Sequence, residues 1–338
     1  MNIIINKKEY RIWSVRRKFD GMKIWYLVVA LIVLSFVSLF IGVSDLTPLD
    51  LFTMTEDQWQ TLTVSRIPRL ASIIIAGMSM SICGLIMQQL TRNKFVSPTT
   101  AGTLDSASLG ILVSLMFFTA ATPLFKAGIA FLFALAGTFV FMKILEKVQF
   151  KDPIFIPLVG LMFGNIIGSV TTFFAYRNDL IQNMNSWMFG DFSLIIGGQY
   201  ELIYLALPVL LLAYFFANRF TVAGMGEEFA VNLGLNYRQV INIGLIIVAM
   251  VTSVIVLIVG AIPFLGLIIP NIVTIYLGDH LKKSLHHTAL LGAVFVLFCD
   301  ILGRLIIFPY EISIGLTVGV IGSAVFIYLL VRRRHYGL

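Results

Sequence analysis

The sequence predicts an all-α membrane protein that crosses the bilayer about ten times. Three observations lead there. Of the 338 residues, 59% are hydrophobic and only 12% are charged. Mean hydropathy is +0.95. Apolar runs of about 20 residues, the length a helix needs to cross hydrocarbon, recur along the whole chain. Soluble domains carry about 25% charged residues, and compact cores stop growing near roughly 250–300 residues. A soluble enzyme, a disordered chain and a disulfide scaffold are therefore excluded together. Cys83 and Cys299 lie in separate apolar runs and read as small buried hydrophobes.

In chain order, residues 1–23 form a basic segment with Lys7, Lys8, Arg11, Arg16, Arg17, Lys18 and Lys23. The run 24–43 is longer than a signal-peptide core and no A-x-A-like site follows, so it reads as a retained first span. The span 68–89 is rich in small residues, among them Ser72, Gly77, Ser81 and Gly84. These let helix backbones approach closely where lipid supplies no hydrophobic drive. Spans follow at 97–118, 124–145 and 153–175, the last with Gly160, Gly164 and Gly168 at spacing four. In the connection 176–199, Met184, Trp187, Met188 and Phe189 either form one face of a short interfacial helix or anchor an irregular loop. Spans at 200–217 and 239–259 precede a short one at 262–277, interrupted by Pro263 and Pro270. Spans at 286–308 and 312–331 close the domain, ahead of Arg332, Arg333 and Arg334. Residues 24–338 thus form one transmembrane domain.

Charge parity tests the doubtful eighth span. With ten spans both termini lie on one side, and of 24 Lys and Arg only Arg66, Arg69, Lys126, Arg177 and Arg304 fall outside. The loop from Ser44 to Ser65 has no basic residue and carries Asp45, Asp50, Glu56 and Asp57. Cytoplasmic loops collect Lys and Arg, so ten spans with both ends in the cytoplasm are expected. Basic clusters that flank spans also argue against a nucleic-acid partner.

Charges at membrane depth are costly and need partners or a task. Asp300 and Arg304 stand four apart on one helix face and are expected to pair. Asp105, Asn165 and Asn271 are also intramembrane. There is no GxxxxGK[ST] phosphate cradle, and no zinc-protease or Ser–His signature. His280, His286, His287 and His335 fall in inner loops, so neither a metal site nor a catalytic group is expected.

Four blocks resemble a known family: "SRIPRLASIIIAGMSMSICGLIMQQLTRNKFVSPTTAGTLDSASLGI" (65–111), "WMFGDFS" (187–193), "GMGEEFAVNLGLNYRQV" (224–240), and "IPFLGLIIPNIVTIYLGDHLKKSLHHTALLGAVFVLFCDILGR" with "EISIGLTVGVIGSAVFIYLL" (262–330). They resemble the permease subunit of ABC importers for iron–siderophores, haem and cobalamin. The resemblance implies a type II importer permease in the cytoplasmic membrane of a bacterium. It implies a second permease, two ATP-binding subunits and an extracytoplasmic binding protein as partners. ATP-Mg would then sit on the partner subunits, and no cofactor on this chain. Matching the family's coupling motif, in the loop 218–238, are Gly226, Glu227, Glu228, Ala230, Leu233 and Gly234. That loop reads as amphipathic, Phe229, Leu233 and Leu235 against Glu227, Glu228 and Asn232. Pro270-Asn271 and Thr274 stand where many members carry Pro-His and Arg, which is nearer the ferric catecholate branch than the cobalamin one. Arg66, Arg69 and Arg177 at the outer mouth would attract such an anionic cargo, with Asn165 and Asn271 along the path. A proton-coupled secondary transporter using Asp105 or Asp300 is the alternative, as is haem or cobalamin import.

Overall fold

The computed structural model describes residues 23–42, 47–48, 54–147, 155–198, 200–278 and 280–336. The basic residues before Lys23 and the side chains of Trp187, Met188 and Arg332 to Arg334 lie outside what is described. The helices are α1 (Ile24–Phe40), α2 (Glu56–Thr61), α3 (Ile67–Leu90), α4 (Thr103–Phe117), α5 (Pro123–Lys147), α6 (Phe155–Arg177), α7 (Ile181–Met188), α8 (Ala206–Ala223), α9 (Glu227–Asn232), α10 (Tyr237–Ile258), α11 (Leu265–Leu277), α12 (Leu281–Ile306) and α13 (Ile314–Tyr336). A π-helical turn, Leu62–Arg66, joins α2 to α3, and a 3₁₀ turn, Glu201–Leu205, leads into α8. Six of these helical stretches are long and apolar enough to cross a membrane; α1, α4, α11 and the Ile314–Leu329 part of α13 are shorter apolar helices. Together they stand where the ten spans are predicted. Among the described residues there is no strand, only an isolated bridge between Phe189 and Ala261.

Boundaries move where side chains compete with the backbone. Residues 97–102 form turns instead of the start of a span. Thr100 Oγ1 accepts the Ser97 N–H at 2.9 Å, and Gly102 takes φ +70 at the N-cap of α4. Hydroxyls that bond the local backbone favour turns over helix. α12 begins five residues before the predicted span, so His286 and His287 are helical rather than in a loop, with the His286 ring 5.3 Å from that of Tyr214. α2 was expected to be loop. A capping box starts it, Thr55 and Gln58 each bonding the other's backbone N–H.

α3 is the central helix, buried along most of its length and packed by α8, α10, α11 and α12. Its small residues make the crossings possible. A Cβ at Gly77 would lie 2.8 Å from the Gly292 carbonyl oxygen, and one at Gly84 would overlap the backbone of Gly266. Gly84→Val is expected to destabilise the fold by about 1–3 kcal/mol, the usual range for overpacking. Thermal unfolding in detergent checks this, and an unchanged midpoint would contradict the crossing.

Candidate functional site

α6 is the least buried of the long spans. Two adjacent rows at spacing four, Gly164–Gly168–Thr172–Tyr176 and Asn165–Ser169–Phe173, face an open cavity of about 690 Å³ whose other wall includes Asp105 and Ile181. A rise of 1.5 Å per residue makes this groove roughly 18 Å long. It runs from mid-helix to the end that carries Arg177. A second chamber of about 370 Å³ continues behind it, lined by Asp105, Ser108, Thr171 and Met184 among others. The glycine row divides its labour. Gly160 is pressed on the Thr100 carbonyl and Gly164 on the Asp105 carboxylate, whereas Gly168 faces open space. Asn165 therefore lines the groove with Asp105, and exposed Arg177 ends the same helix.

Arg66 and Arg69 belong to a different cluster. Arg69 donates to Asp300 Oδ1 at 2.8 Å and Glu311 Oε2 at 2.7 Å, while Arg304 forms an ion pair with Asp300 Oδ2 at 2.6 Å. Arg304 also donates to the carbonyls of Ser38 at 3.0 Å and Ile41 at 2.9 Å, and Arg66 to that of Leu39 at 2.6 Å. These carbonyls close α1, where the last turn has no helical donors and the dipole is negative. The guanidiniums thus tie α1, α3, α12 and the α12–α13 turn together. Spacing suggests the Asp300–Arg304 pair. It does not suggest Glu311, which is 242 residues from its partner Arg69.

Asn271 sits in a packing seam. Pro270 removes one helical N–H from α11, and the Asn271 amide donates to the carbonyls of Leu267 and Lys94, both at 2.7 Å. Gln88 Nε2 also reaches Leu267 O at 3.3 Å. The Asn271 amide is thus occupied by its own helix and by the Lys94 carbonyl, and Asn271 is not among the residues lining the α6 groove.

At the opposite end of the bundle, α8 continues to Ala223, so the predicted loop 218–238 contracts to a tight α8–α9–α10 corner. Gly226 (φ +118) opens α9, and Gly234 (φ +76) closes it. Leu235 N–H bonds Ala230 O at 3.0 Å and Gly234 N–H bonds Val231 O at 2.8 Å, the Schellman pattern. Asn236 then caps α10 by accepting from Gln239 N–H at 3.2 Å. Ala230 is fully buried, while Phe229 and Leu233 are 49% and 62% exposed beside exposed Glu227 and Glu228. Phe229 and Leu233 thus project away from the bundle, and Leu235 is half-buried. The motif forms one turn-bounded knob, anchored by buried Ala230 and presenting Glu227, Glu228 and Leu233 outward beside Phe229.

Comparison with known proteins decides the family. The FecCD transport family matches residues 30–332. The chain belongs to that family. It is a multi-pass permease of the ABC importer group. It is 66% identical over 315 residues to the petrobactin import system permease protein YclN of Bacillus subtilis, covering 93% of this chain and 100% of that protein. It is 42% identical over 306 residues to the ferric-anguibactin transport system permease protein FatD of Vibrio anguillarum, covering 90% and 98%. A solved structure described as an inward-facing conformation of a metal-chelate type ABC transporter superposes with TM-score 0.74 at 21% identity, covering 91% and 98%, and shares the fold.

Proposed function

We propose that this FecCD permease imports a ferric catecholate siderophore across the bacterial cytoplasmic membrane. It would work with a second permease, two ATP-binding subunits and an extracytoplasmic binding protein. The observation that carries the reading is the hydrogen-bonded α9 knob, on the opposite face from the groove mouth beside Arg177. It joins an exposed apolar face to acidic groups, as a docking element for a motor subunit requires. The polar groove of α6 provides a path at membrane depth, with Asn165 on its wall and Arg177 at its rim. Arg69 is neutralised by Asp300 and Glu311 and Arg66 is buried on the Leu39 carbonyl, so neither adds to the field of exposed Arg177. The substrate is supported by the names of YclN and FatD, and the orientation by the positive-inside bias, which puts both termini in the cytoplasm.

Uptake of ⁵⁵Fe-labelled ferric petrobactin by cells lacking this chain tests the reading. Uptake should fall at least about tenfold and return on complementation, with cobalamin uptake unchanged. Unaltered petrobactin uptake together with lost cobalamin uptake would overturn the substrate.

A further inference from the structure

We infer that Asp105 is a cation-recognition residue of the α6 groove, taking a protonated amine borne by the cargo as it passes mid-membrane. This rests on the reading of the groove as the transport path. Gly164, which the Asp105 carboxylate closely approaches, is the tenth residue of a helix of 23 residues, which puts the acid roughly 13 Å along a span roughly 35 Å long. An acid at that depth is costly unless paired or used. Among the described residues no ion pair reaches it: the other intramembrane acid, Asp300, holds Arg69 and Arg304 in a separate cluster.

The surroundings favour a cationic donor over other ligands. Ser169 Oγ donates to Asn165 O at 2.8 Å and Thr171 Oγ1 to Ile167 O at 2.9 Å. Their protons are directed into α6, so these hydroxyls offer lone pairs to the cavities they line. Phe173 and Tyr176, both well exposed, add aromatic faces that attract ammonium groups. A bare metal ion would need several ligands, and among the described residues no three His, Cys, Asp or Glu gather. An anionic iron centre is repelled by the carboxylate, so the acid would read the organic part of the chelate, away from the metal.

The test compares two ferric chelates with identical iron-binding groups, one with a free backbone amine and one with that amine acetylated. Uptake of ⁵⁵Fe is measured in cells carrying the complete importer with wild-type chain, Asp105→Asn or Asp105→Glu, at matched membrane levels. The binding protein is common to all arms, so a change of preference belongs to this chain. Asp105→Asn should slow the free-amine chelate about tenfold, the factor that roughly 1.4 kcal/mol is worth, and leave the acetylated one within about twofold. Asp105→Glu should restore part of the preference. Equal slowing of both chelates, or of neither, overturns the assignment while leaving the transport reading intact. Absence of uptake of either chelate by the wild-type importer overturns both. Should the Asn variant fail to accumulate, Asp105→Ser serves the same comparison.

Discussion

Gly234→Val is expected to lower cargo uptake more than about tenfold while the permease remains in the membrane at its normal level. Gly234 closes α9 at φ +76, with open space around its missing Cβ, so backbone conformation is what the glycine supplies. A β-branched residue in this left-handed region costs about 1–2 kcal/mol, and the bonds from Leu235 to Ala230 and from Gly234 to Val231 must bend or break. Each misplaces Phe229 and Leu233, the exposed apolar groups that the motor would grip. The fold should tolerate the change because only Ala230 of α9 is buried. ATP hydrolysis by the assembled importer should then continue without proportional transport. Gly198→Val is the control: Gly198 has φ +92 in equally open space, but on the far face, and should leave coupling unchanged. Normal uptake by Gly234→Val would remove the coupling role from this corner.

Asp300→Ala is expected to cost about 3–5 kcal/mol of stability, because it strands the buried guanidinium of Arg304 and removes one of two carboxylates from Arg69. Arg69 keeps Glu311, so the greater penalty falls on Arg304, which retains only Ser38 and Ile41 at the end of α1. Replacing both partners, Asp300→Leu with Arg304→Met, should recover much of the loss, since two apolar groups need no counter-charge. Thermal unfolding of the detergent-solubilised protein compares the single and double changes. A single change worth less than about 1 kcal/mol would contradict a buried lock.

The apolar helices were legible because bilayer thickness imposes a length on every apolar run, and six long and four shorter apolar helices among the described residues follow those runs. The α9 motif was legible by resemblance, and its glycines carry the positive φ values that the turn needs. Other features depend on neighbours far along the chain. Asn271 reads as a polar residue in a broken span, yet its amide is occupied by the Lys94 carbonyl, 177 residues away. Arg69 reads as an outer-mouth cation facing the cargo and is bound instead to Glu311 and Asp300. The groove was half legible: Gly160, Gly164 and Gly168 mark a close-packing stripe, but nothing local tells that Gly168 faces space while Gly164 meets Asp105. α2 was announced by T-x-x-Q at 55–58, a signal hidden beneath the acidic, loop-like composition around it.

The central claim is that this chain is a conduit moved by a motor in another subunit. Proteoliposomes measure it most directly, with the permease alone under a proton gradient compared against the permease assembled with its partner permease, ATP-binding subunits and binding protein. Ferric siderophore should accumulate only in the assembled vesicles and only with ATP. Concentrative uptake by the permease alone, abolished by collapsing the gradient, would contradict it.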